Sequence, residues 1–116
     1  MGNTLKNKTL YTNNESTGSN GTLKFNGDTT GTYKPNGAPP TDIIWGEVWV
    51  NNHCALWVLF KESIDRNNIQ IWGIELAANG DSISGTGISA FGNASPINPD
   101  DTTYVNDKYT FSSTQN

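Results

Sequence analysis

The chain has 116 residues, of which 34% are hydrophobic and 16% charged, and its net charge is −4. This length suits one domain with one modest core, taken as residues 1–116. Seven scattered basic residues exclude the clustered Lys and Arg that nucleic acid or an anionic membrane would need, and no apolar run nears the ~20 residues of a membrane helix.

Asn, Thr, Ser and Gly take the positions that charged and apolar residues vacate, a composition of strands joined by polar turns. Turn signals recur at Asn26-Gly27-Asp28, Pro35-Asn36-Gly37, Asn51-Asn52, Asn67-Asn68, Asn79-Gly80-Asp81 and Asn98-Pro99-Asp100. Their spacing of roughly 8–12 residues predicts an all-β domain, and no helical period is long enough for a long helix. In chain order, strands are predicted at 5–12, 19–26, 29–34, 42–51, 54–62, 69–77, 82–90 and 104–112. Eight strands with short sequential links predict an antiparallel, eight-stranded up-and-down barrel of avidin or lipocalin type, with a β-sandwich as the alternative.

The fourth to sixth predicted strands differ from the rest. They read Ile43-Ile44-Trp45-Gly46-Glu47-Val48-Trp49-Val50, Cys54-Ala55-Leu56-Trp57-Val58-Leu59-Phe60 and Ile69-Gln70-Ile71-Trp72-Gly73-Ile74, and they hold all four tryptophans. Alternate residues point to opposite faces, yet both faces of these strands are apolar. A one-sided sheet would keep one face polar. The second face therefore needs cover from a second sheet, a ligand or another subunit, and a homo-oligomer (dimer or tetramer) is expected.

Catalytic sets are missing. The single His53 sits in a predicted turn without a Ser or Cys partner, and one His and one Cys fall short of a zinc site. Cys54 has apolar neighbours and reads as a small buried hydrophobe. Glu47 and Glu75 each follow Trp-Gly or Trp-Gly-Ile and are the one carboxylate pair that could serve glycoside cleavage, a reading ranked last. The acidic loop 98–107 could offer oxygen ligands to calcium but does not match an EF-hand. Gly85-Thr86-Gly87 leads into no helix and is no phosphate loop. The chain is expected to be non-enzymatic, without cofactor. Its opening, Met1-Gly2-Asn3-Thr4-Leu5, has no apolar signal core, so secreted and cytoplasmic locations both stay open.

Four further stretches resemble the avidin and streptavidin family, in order over residues 11–76. Tyr11-Thr12-Asn13 followed by Gly18-Ser19-Asn20-Gly21 is similar to the family's first strand and turn. Thr30-Gly31-Thr32-Tyr33 is similar to its third strand. Ala55-Leu56-Trp57-Val58-Leu59-Phe60-Lys61 and Ile69-Gln70-Ile71-Trp72-Gly73 are similar to two of its aromatic strands. The resemblance implies a barrel that binds biotin at one mouth, in dimers or tetramers. Carried over, Asn13, Ser19 and Tyr33 would hydrogen-bond a ureido carbonyl, while Phe60 and Trp72 would stack on the ligand. Asn68 and Gln70 stand where the family has a Ser/Thr pair, and Trp57 is a further candidate from the aromatic cluster. Departures are equally plain: Pro35 replaces a Ser, residues 82–88 hold no tryptophan, and Asp107 is an out-of-register counterpart of the family's late Asp. These departures imply weak biotin binding or a different small ligand. The alternative is a carbohydrate-binding lectin of hemagglutinin type, in which Trp stacks on a sugar and Asn, Asp and Glu bond its hydroxyls.

Overall fold

A computed structural model describes residues 3–65, 68–93 and 107–114. The strands are β1 (Thr9–Asn14), β2 (Asn20–Phe25), β3 (Thr30–Pro35), β4 (Thr41–Val50), β5 (His53–Phe60), β6 (Asn68–Asn79), β7 (Ser82–Asn93) and β8 (Asp107–Ser112), with a single-turn helix α1 (Lys61–Asp65) between β5 and β6. Each strand pairs antiparallel with the next, and β8 returns to β1 to close the barrel. Closure leaves no sheet edge and excludes the sandwich.

Side chains alternate strictly between wall faces. Leu10, Leu23, Phe25, Ile43, Trp45, Cys54, Leu56, Ile74, Leu76, Ile83 and Phe111 are buried inside. Most of them fill the end where β1 begins and β4 ends. Phe25 and Trp45 meet edge to face there, 4.8 Å between centroids, and the Trp45 indole donates to the Thr30 carbonyl at 2.8 Å.

The first strand begins later than its sequence pattern predicts. Asn7 takes a positive φ of 62°, which breaks the extended run. Residues 3–8 instead cross the base of the barrel, where Leu5 is completely buried. Glu47 points inward at this base and gathers three donors: Thr4 Oγ1 at 2.7 Å, the Leu5 N–H at 2.8 Å and the Trp49 indole at 2.6 Å. Asn7 N–H and the Phe25 carbonyl, and Phe25 N–H and the Lys8 carbonyl, add backbone bonds at 2.9 and 3.0 Å. The base is thus corked by the chain itself. The opposite end, carrying α1 and the β1–β2 turn, is the mouth.

Candidate ligand-binding site

Toward the mouth the inward positions bring a second aromatic cluster together with several polar side chains. Thr12 and Asn14 of β1, Tyr33 of β3, Phe60 of β5, Gln70 and Trp72 of β6, Ser89 of β7, and Asp107 and Tyr109 of β8 share this level of the interior. Trp72 is its centre. The ring centroids of Tyr33, Phe60, Tyr109 and Phe111 lie 4.9, 5.1, 4.6 and 5.9 Å from it. Tyr33 reaches this position because Gly21, inward on the neighbouring strand, has no side chain. A Cβ there would lie 2.7 Å from the Tyr33 hydroxyl.

The polar groups form a second set. Asn14 Nδ2 donates to the Tyr109 hydroxyl at 3.1 Å and to Asp107 Oδ2 at 3.3 Å. Asn14 Oδ1 accepts from the Ser16 N–H at 2.8 Å, which fixes the amide and the start of the β1–β2 turn. Burial holds both phenols above the usual tyrosine range. The Thr12 hydroxyl tempers the shift at Tyr33, and at Tyr109 the neighbouring Tyr33 adds to it. Among the described residues, two buried polar atoms at this level have no hydrogen-bond partner and no other interaction that occupies them: Trp72 Nε1 and Ser89 Oγ. Trp72 and Ser89 are directly opposed across the β6–β7 pair, each with only 1% of its surface exposed. Unpaired buried donors and acceptors are costly and rare in a finished core, whereas a ligand site holds such groups ready.

The sequence-derived candidates divide. Tyr33, Phe60 and Trp72 come together inside the mouth, with Gln70 at its rim. There, Tyr33, Pro35, Thr41, Phe60, Glu62 and Gln70 line an open cavity of about 220 Å³. Gln70 is held by its backbone, whose N–H donates to Ser63 Oγ at 2.9 Å, while that hydroxyl donates to the Phe60 carbonyl at 2.5 Å. Asn13 faces the other way. The strand alternation that turns Thr12 and Asn14 inward directs Asn13 to the outer wall, where its Oδ1 is covered and unpartnered. Ser19 lies on the exposed β1–β2 turn and bonds Thr17 Oγ1 at 2.8 Å. Trp57 is also outside the barrel, 44% exposed, with its indole lying over Gly46. Asn68 opens β6 opposite Asn93, and its side chain is outside the description.

Asn14, Thr12, Ser89 and Tyr109 escaped the sequence reading. A one-residue choice between Asn13 and Asn14 hid the first, and Tyr109 comes from a distant strand with no aromatic motif around it. Residues 98–106 of the acidic loop lie outside the described residues, among which no group of three metal-ligating side chains occurs. Glu47 and Glu75 lie on opposite faces of the wall, the first inside at the base and the second exposed outside. They do not form a carboxylate pair. The interior also accounts for the missing β7 tryptophan. Gly87 stands inward, and a Cβ there would sit 2.7 Å from both the Gly73 carbonyl and Ile74 Cγ1, and 3.0 Å from Phe111. Comparisons with protein-family models, curated proteins and solved structures return no match for this chain.

Proposed function

We propose that this protein is a non-catalytic, avidin-type binder of a small, neutral, ring-containing ligand such as biotin or a biotin-like molecule, held in the barrel mouth. The observation that carries this reading is the pair Trp72 Nε1 and Ser89 Oγ, buried and unpartnered beside a cage of aromatic rings. Aromatic walls bind the apolar part of a ligand, and a few convergent polar groups orient it. Asp107 adds a carboxylate acceptor at the same level, held by Asn14 Nδ2. The reading extends to an assembly of copies through the outer face of β4–β7, where Val48, Val50, Trp57, Ile71 and Ile88 are all exposed. Large apolar side chains exposed together on neighbouring strands are the kind of surface that contact sites use.

Thermal shift with biotin and desthiobiotin tests the ligand. A ligand present at 100-fold over its dissociation constant stabilises the folded state by about 2.7 kcal/mol, a rise in Tm of roughly 10 °C at this chain length. No shift with either molecule at millimolar concentration would end the biotin version.

A further inference from the structure

We infer that Tyr109 occupies the inner half of this site in the way a ligand ring would, and that the compartment it fills is a binding site for a planar, neutral, hydroxyl-bearing aromatic ring. The inference rests on the reading of the mouth as a ligand site and adds what limits its depth.

Four observations carry it. Tyr109 is tilted only 30° to Trp72 at 4.6 Å, close to an offset stack, whereas Tyr33, Phe60 and Phe111 approach the same indole at 60–70°. Those three build walls, while Tyr109 lies on the platform. Its hydroxyl takes the Asn14 amide proton at 3.1 Å, so a donor suited to a ligand oxygen is spent on the barrel's own phenol. The space left open at the mouth, about 220 Å³, is below the roughly 300–1,000 Å³ common for ligand pockets, and neither Trp72 nor Tyr109 lines it. Finally, Tyr109 leaves Trp72 Nε1 and Ser89 Oγ unpartnered although it stands against Trp72. An indole N–H only donates. The Tyr109 oxygen is held at Asn14 by the tether to β8, whereas a free phenol can turn its acceptor oxygen toward the indole N–H. Neutrality follows from burial, which disfavours a charge of either sign, and the Asp107 carboxylate at the same level repels an anion in particular.

Removing the ring without collapsing the barrel should open the compartment, because Gly85 and Gly87 bring no inward side chain to fill it. The probe is p-cresol, the free equivalent of the tyrosine side chain. In thermal unfolding, millimolar p-cresol should raise the Tm of Tyr109→Ala by about 4 °C or more. The same concentration should leave the unsubstituted protein and Tyr109→Phe unmoved, because their ring is in place. If Tyr109→Ala does not fold, Tyr109→Leu replaces it with the same readout. A folded variant without a response, or an equal response from the unsubstituted protein, would overturn the inference. Biotin is run in parallel as a separate arm. A p-cresol response without any biotin response upholds the inner compartment and ends the biotin reading. A biotin response confined to the unsubstituted protein shows a ligand that needs Tyr109 and overturns its role as an obstruction.

Discussion

Glu47→Ala should uncork the base of the barrel. The carboxylate accepts from Thr4 Oγ1, the Leu5 N–H and the Trp49 indole at 2.6–2.8 Å. Hydrogen bonds to a charged group contribute about 1.5–3 kcal/mol each, and a buried donor left unpaired costs about 1–3 kcal/mol. The three bonds share one carboxylate, so these figures do not add. The chain also has an escape: residues 3–8 can come away, exposing Leu5, whose burial is worth about 1.5–3 kcal/mol. The escape caps the loss near 3 kcal/mol, or about 12 °C in Tm for a chain of this length. Glu47→Gln keeps one acceptor and should lose about 1–2 kcal/mol. Urea unfolding followed by tryptophan fluorescence reads both values. The mechanism has its own signature, because Leu5→Ala should cost about 2–3 kcal/mol alone and almost nothing in the Glu47→Ala background. Full additivity of those two substitutions, or a Glu47→Ala loss below about 0.5 kcal/mol, would refute the cork.

Alkaline pH should weaken the fold before the phenols of an unfolded chain titrate fully. Burial, then the nearby Glu47 charge, pushes the Cys54 thiol from 9.0 up to about 11, and Tyr33 and Tyr109 shift the same way. The unfolded chain releases these protons at lower pH than the folded one, so stability is intact below about pH 9 and falls as pH rises through 11. The urea midpoint should drop over that window, with Cys54→Val flattening its earlier part, and a midpoint constant to pH 11 would contradict the assignment. The outer face gives a separate test. Light scattering should return a multiple of the 12.6 kDa chain mass, and Val48→Lys with Val50→Lys should reduce it to one chain without loss of secondary structure. A single-chain mass for the unsubstituted protein would remove the assembly from the proposal.

Local chemistry made much of the architecture legible. Turn residues at short intervals separate apolar and Thr-rich runs, and antiparallel neighbours joined by such turns have few arrangements other than a meander that closes on itself. Alternation also groups Phe60 with Leu56 and Val58, and Trp72 with Ile74, while the structure decides that these faces are the interior ones. Trp57 illustrates the limit. It lies between apolar residues on a strand whose two faces are both apolar, so no pattern distinguishes an inward from an outward indole.

The amino-acid sequence by itself determined the period of the strands and the places where they turn, because both depend on residues a few positions apart. The tertiary structure decided register and depth. A shift of one residue exchanges every side chain between the faces of a strand, so only pairing with β2 and β8 turns Asn14 inward and Asn13 outward. Closure of β8 against β1 sets Tyr109 opposite Asn14, 95 residues away, and the folding back of residues 3–8 joins Leu5 to Glu47 across 42. Such contacts are selected by the shape of the closed interior, which a chain read residue by residue does not contain.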